Sequence, residues 1–152
     1  MKFPIRLATI EDVDQLVELI HIQLVEHHVQ IFPSDLRRGI EAVLFNDQRG
    51  IILVALQESE IVGAACVSFL WPLEYGGLAA WLEELYVIPP CREHGLGSEL
   101  LQSTMQECAR RGCAALDLEV EEDHLRVENL YRRFGFKPIH SRRRWVKILQ
   151  QI

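Results

Sequence analysis

The stretch from Leu82 to Leu101 constrains this chain more than any other. It reads Leu82-Glu83-Glu84-Leu85-Tyr86-Val87-Ile88-Pro89-Pro90-Cys91-Arg92-Glu93-His94-Gly95-Leu96-Gly97-Ser98-Glu99-Leu100-Leu101. The apolar positions Leu82, Leu85, Val87 and Ile88 predict a buried strand. Pro89-Pro90 stops it, because proline has no N–H to give to a ladder. Arg92-x-x-Gly95-x-Gly97 follows, and the chain reads as helix from Ser98 onward. Glycines at a helix start let backbone amides approach an anion, and the free N–H groups and helix dipole favour negative charge there. The stretch therefore reads as a diphosphate site joined to a strand that carries two carboxylates, Glu83 and Glu84. A plain strand-to-helix turn would use the same glycines. No Gly-Lys-Ser/Thr follows, so the stretch is not a Walker A loop, and Leu100 stands where a dinucleotide fingerprint needs its third glycine.

A chain of 152 residues predicts one domain over 1–152. A hydrophobic fraction of 49% supports a real core, and 25% charged residues fit an ordinary water-facing surface. No apolar run approaches the ~18 residues of a membrane span. Met1-Lys2-Phe3-Pro4 enters a strand-like segment with no signal-peptide stretch, which places the chain in the cytoplasm, off the membrane. Cys66, Cys91, Cys108 and Cys113 form no Cys-x-x-Cys pair and no zinc pattern, so free thiols and no metal are expected. Cys91, beside the glycine loop, reads better as a small buried residue than as a nucleophile.

The net charge of −6 argues against nonspecific nucleic-acid binding. Residues 1–91 carry 5 basic and 13 acidic side chains, net −8, whereas residues 92–152 carry 11 and 9, net +2. An anionic cofactor in the second part and a cationic substrate against the first would account for this division. Solvated faces without a partner would account for it equally.

In chain order, Pro4 to Ala8 reads as a short strand and Thr9-Ile10-Glu11-Asp12 as a capped helix start. Val13, Leu16, Val17, Ile20 and Leu24 recur at helical spacing, predicting an amphipathic helix over 10–28. Pro33-Ser34-Asp35 opens a second helix ending near Asn46. Ile51–Leu56 and Ile61–Leu70, turned at Glu58-Ser59, predict an antiparallel hairpin. Residues 71–77 form a loop whose Trp71 and Tyr75 suit either a ligand or packing on the surface. A strand over 79–88 precedes the glycine loop. The helix after it runs to about Arg111, with Leu96, Leu100, Leu101, Thr104 and Cys108 inward and Gly112 as C-cap. A strand over 114–120, a helix over 124–134 capped by Glu121-Glu122-Asp123, and two last strands at Phe136–Ile139 and Arg142–Leu149 complete the pattern. Arg142-Arg143-Arg144 reads as a solvated edge.

With these residues in view, the chain resembles the GNAT superfamily of acyl-CoA-dependent N-acyltransferases. Arg92-Glu93-His94-Gly95-Leu96-Gly97 matches that family's Gln/Arg-x-x-Gly-x-Gly/Ala pyrophosphate loop, within the context Leu85-Tyr86-Val87-Ile88-Pro89 and Leu100-Leu101. Asn129-Leu130-Tyr131-Arg132-Arg133-Phe134-Gly135-Phe136 matches its Leu-Tyr-x-x-x-Gly-Phe segment. Ile5-Arg6-x-Ala8-Thr9-x-Glu11-Asp12 is a weaker match, and the element order agrees along essentially the whole chain. The resemblance implies an α/β (α+β) fold: αβα layering about a mixed, mostly antiparallel sheet, with the strand before the loop and the strand at 114–120 splayed. It implies acetyl-CoA as cosubstrate, with its pantetheine arm in that opening against Leu85, Tyr86 and Val87. The diphosphate would sit on amides of Glu93, His94, Gly95, Leu96, Gly97 and Ser98, after Arg92. His124 stands where many members have a cofactor-bonding Asn, and Val127 replaces a common Ala.

Amide formation needs a base, because an ammonium is not a nucleophile. Glu83 and Glu84 lie on the strand that would hold the thioester, and simple alternation sends them to opposite faces, one as base and one structural. The resemblance makes the Val87 amide the donor for the oxyanion and Tyr131 the acid for the departing thiolate, against a core tyrosine as the plain alternative. The leading expectation is acetyl transfer to a primary amine, with a small cationic amine slightly favoured. A non-catalytic acyl-CoA-sensing module, or an enzyme acting on protein N-termini or lysines, are the alternatives. The acceptor pocket would be built from residues 21–34 and 71–78, which carry no readable motif. A homodimer is compatible with the pattern.

Overall fold

The computed structural model describes residues 2–121 and 124–150. The chain divides into two compact units, Met1–Glu119 and Val120–Ile152. The first holds a five-stranded sheet in the order β1-β2-β3-β4-β5. Its strands are β1 (Ile5–Leu7), β2 (Gly50–Gln57), β3 (Glu60–Leu70), β4 (Ala79–Val87) and β5 (Leu116–Leu118), and its helices are α1 (Val13–Glu26), α2 (Pro33–Leu44) and α3 (Leu96–Arg110). The first four strands pair antiparallel and β5 joins β4 in parallel, so the sheet is mixed and open. Among the described residues no helix is long and apolar enough to cross a membrane.

Alternation along the strands divides the core between the two faces. Ile52, Val54, Ala64, Cys66 and Tyr86 pack with Leu16, Ile20 and Ile40 of α1 and α2. α3 packs against β2, β3 and β4. A Cβ on Gly63 would stand 3.0 Å from Leu100 Cδ1, so glycine there lets α3 lie close to the sheet. The five residues expected to face inward from α3 are all buried: Leu96, Leu100, Leu101, Thr104 and Cys108. At the entry to α1, Asp12 is buried and takes two bonds from Arg6, at 2.7 and 3.0 Å, and one from the Thr9 amide at 2.8 Å. The Arg6 guanidinium holds the Asp12 carboxyl below the usual range.

The second unit contains α4 (Leu125–Arg133), ended by Gly135 at φ +88°. Glu122 and Asp123, two of the three residues expected to cap it, lie outside the described residues. The strands expected at Phe136–Ile139 and Arg142–Leu149 are not formed. A strand is a paired object: residues 136–150 have the apolar content of strands but no ladder, and Trp145, Val146, Ile148 and Leu149 stand exposed.

Candidate active site

The strand β4 is irregular where its carboxylates lie. In its register with β3, Cys66 pairs with Glu84 and the next residue, Val67, pairs with Leu82, so Glu83 is skipped. This is a β-bulge, in which two residues of one strand oppose one of the other. The expectation of opposite faces for Glu83 and Glu84 therefore fails, because alternation does not carry across the extra residue. Both carboxylates bear on Cys66, whose thiol is pushed up by burial and then by Glu84 and Glu83. Glu83 is exposed and Glu84 half-buried. Loss of water, and then the Glu83 charge, raise the Glu84 carboxyl to about 7. A carboxyl held there is poised to take a proton at neutral pH.

Past the bulge one edge of β4 is open. Its parallel pairing with β5 covers Ala80↔Leu116, Trp81↔Asp117 and Leu82↔Leu118, and goes no further. The Ile88 amide donates to Val62 of β3 at 2.9 Å. In an antiparallel ladder bonding alternates, so Tyr86 and Glu84 also bond toward β3 and the backbone groups of Leu85 and Val87 face the open edge. The strand expected over 114–120 is shorter, Leu116–Leu118, and β4 runs on to Val87 past the end of their pairing. Arg92 Nε donates to the Val87 carbonyl at 2.8 Å, its guanidinium lies 5.3 Å from the centre of the Tyr86 ring, and its Nη2 is 4.0 Å from Glu26 Oε2. The Arg92 side chain therefore turns back onto β4 and braces the loop.

The loop itself is short and held in strained conformations. Pro89–Cys91 make a 3₁₀ turn, Glu93 takes φ +67° and Gly95 φ +80°. A left-handed conformation at a residue with a side chain, as at Glu93, costs ~1–2 kcal/mol. Gly95 is the N-cap of α3 and no side chain caps that end. The first helical bond runs from the Glu99 amide to the Gly95 carbonyl, 3.0 Å. Helix geometry thus leaves the amides of Leu96, Gly97 and Ser98 without an intrahelical acceptor. Their N–H groups and the helix dipole favour negative charge at that end.

Cys91 is buried, its Sγ 3.9 Å from Gln57 Oε1, as a packing residue would be. In the loop 71–77 the two aromatics part: Tyr75 donates to Asp117 of β5 at 3.0 Å, while Trp71 is exposed. Among the described residues no three His, Cys, Asp or Glu side chains gather as a metal site.

In the second unit, His124 is the N-cap of α4 and is half-buried. Tyr131 is buried, its ring edge-on to Phe136 with centroids 5.6 Å apart. Two residues of α1 were not foreseen. Glu26 accepts a hydrogen bond from the Tyr86 hydroxyl at 3.2 Å, and Gln23, 5% exposed, lies within the buried stripe of the helix. The signal for Gln23 was an amide at the position where the spacing Leu16, Ile20 calls for another apolar side chain.

A family model described as the acetyltransferase (GNAT) family matches residues 16–136. The aminoalkylphosphonate N-acetyltransferase of Salmonella typhimurium is 28% identical over 138 residues, covering 91% of this chain and 87% of that one. The thialysine N-epsilon-acetyltransferase of Mus musculus is 26% identical, covering 85% of this chain and 78% of the relative. Among solved structures, an integron cassette protein from the mobile metagenome of Cole Harbour Salt Marsh superposes with a TM-score of 0.84 at 28% identity, covering 97% of this chain and 91% of its own.

Proposed function

The chain belongs to the acetyltransferase (GNAT) family and is an acetyl-CoA-dependent N-acetyltransferase, and on that premise we propose that it acetylates a small primary amine, a cationic one by preference. The observation that carries this reading is Glu84, raised to about 7 on a bulge beside the open edge of β4. The relatives support a small acceptor, since both are named for small amines. The family model runs through both compact units, which supports treating the chain as one catalytic domain.

The CoA diphosphate rests on the amides of the 93–98 loop, above all Leu96, Gly97 and Ser98. The pantetheine arm follows the open-edge backbone groups of Leu85 and the Val87 amide, the Val87 carbonyl being taken by Arg92, and His124 is a further cofactor contact by its place in the family pattern. Glu84 takes a proton from the acceptor ammonium, and Glu83 raises its basicity from the exposed side. The neutral nitrogen attacks the thioester carbonyl carbon. The Val87 amide receives the oxyanion, the nitrogen gives up its second proton to solvent, and the C–S bond breaks as Tyr131 gives its proton to the thiolate and is reprotonated from solvent. The position of Tyr131 in its motif supports that role.

The test is free-thiol release from acetyl-CoA with a panel of amines. Wild-type kcat/KM should rise with pH through about 7 as Glu84 ionises. Glu84→Gln should remove that limb and lower kcat by ~10²–10⁴-fold, with CoA affinity retained. Tyr131→Phe should likewise lower turnover more than binding. A Glu84→Gln enzyme with full activity and an unchanged pH profile would overturn the assignment of the base.

A further inference from the structure

Among the described residues, the side-chain oxygen of Gln23 is buried with no hydrogen-bond partner. An amide oxygen in that condition is costly, and an apolar side chain at the same position would be free of the cost. Its place in the helix narrows what it is for. One turn further along α1, Glu26 accepts from the Tyr86 hydroxyl at 3.2 Å. Tyr86 and Glu84 are two residues apart on β4, past the bulge, so they share a face. That face is the one α1 covers, with Tyr86 in the core that α1 helps to form. The last turns of α1 thus bring an unsatisfied acceptor oxygen and a further carboxylate to the side of β4 on which Glu84 stands.

Arg92 is the one fixed cation that the described contacts bring to Tyr86 and Glu26. No Lys or Arg occurs from Leu7 to Leu36, or from Gly50 to Cys91, which spans α1, its connection to α2, β2, β3 and β4. Arg92, from the loop, spends its Nε donor on the Val87 carbonyl and comes only within 4.0 Å of Glu26. An ammonium has three donors and no acceptor, so it satisfies an orphan oxygen and a carboxylate together. A carboxylate or phosphonate on the acceptor would meet acceptor oxygens only.

We propose that Gln23 and Glu26 recognise a second cationic nitrogen on the acceptor, making diamines without an acidic group the preferred substrate class. This rests on the reading that Glu84 deprotonates the attacking amine. The two residues are specificity determinants and act through KM.

A matched series tests it: butylamine, 1,4-diaminobutane and 4-aminobutanoate, each assayed by thiol release from acetyl-CoA. These differ at the far end only, carrying a methyl, an ammonium or a carboxylate. The expected order of kcat/KM is diamine, monoamine, amino acid, with the diamine ahead of butylamine by ~10-fold, beyond the twofold that two equivalent amines supply. Glu26→Gln should shrink that ratio through KM, and Glu26→Asp should restore part of it. Gln23→Leu should raise the melting temperature, by removing the orphan oxygen, while raising KM for the diamine. Equal kcat/KM for butylamine and the diamine, or a preference for 4-aminobutanoate, would overturn the proposal and leave amine acetylation standing. So would a Gln23→Leu enzyme that melts earlier with unchanged amine kinetics. Acetyl-CoA binding with no thiol release for any amine would overturn the transfer reading itself, and this proposal with it.

Discussion

At each end of α3 a glycine sits in the left-handed region, Gly95 at φ +80° and Gly112 at φ +87°. At the C-terminal end the helix closes on itself. The Gly112 amide bonds the Ala109 carbonyl and the Cys113 amide the Cys108 carbonyl, both at 3.0 Å, which is the Schellman pattern. Glu107 adds bonds from Arg110 and Arg111, which pull its carboxyl down to about 2. The N-terminal end has no side-chain cap, and its first amides lack an intrahelical acceptor. The same conformational device thus serves two purposes. One end is completed by the chain's own amides, and the other leaves its first amides open, where we propose that the CoA diphosphate sits.

The largest effect that could break this contrast is at Gly97. A glutamate there puts bulk and negative charge where we propose that the diphosphate sits, so Gly97→Glu should weaken CoA binding by ~10²–10³-fold, as losing two charge-assisted bonds implies. Titration calorimetry on the folded variant checks it, and an unchanged affinity would mean that the open end of α3 is not the phosphate site.

A matched pair sharpens the contrast. At Gly95 and at Gly112 an added Cβ would meet nothing within 4 Å, so alanine at either costs only the left-handed conformation. Each substitution should destabilise by ~1–2 kcal/mol in urea unfolding. Only Gly95→Ala should also weaken CoA binding. If both variants lose affinity equally, the loss follows stability and the two ends do not differ in purpose.

The smallest effect concerns Glu84, whose folded pKa of about 7 lies above its ordinary value of 4.5. A raised carboxyl contributes its full stability below the unfolded value and loses it as pH rises through about 7. Glu84→Gln should therefore melt a few degrees higher than wild type at alkaline pH, and the two should converge in acid. Thermal melts across that range check it. A variant that melts lower at alkaline pH would show that the ionised carboxylate has a stabilising partner.

What could be read in advance follows from which features are local. The inward set of α3, the hairpin of β2 and β3, the Gly112 cap and the helix start after Gly95 all depend on residues a few positions apart, and each is present. The bulge at Glu83 depends on how β4 registers with β3, a partner some twenty positions away, and nothing in the run Leu82-Glu83-Glu84-Leu85 announces it. The same holds for the strands expected after Phe136, where suitable residues lack a ladder. Arg92 fits its motif, but its side chain goes to Val87 and Glu26, contacts set by how α1 lies on the sheet. Glu26 is legible only once Tyr86 is known to lie under it.

The short parallel contact of β4 with β5 also works as a gauge. Paired strands lie ~4.8 Å apart, and these two are pinned at that spacing as far as Leu82 and Leu118. A chain threaded from the Val87 end would advance only until the gap closes at Leu82, one residue past Glu83. Depth of insertion is then fixed by the sheet, without any residue devoted to measuring it. Acyl groups longer than acetyl would have to prise the Leu82–Leu118 pairing apart or bend out of the groove, so tolerance for chain length should be set by how firmly three residue pairs hold together.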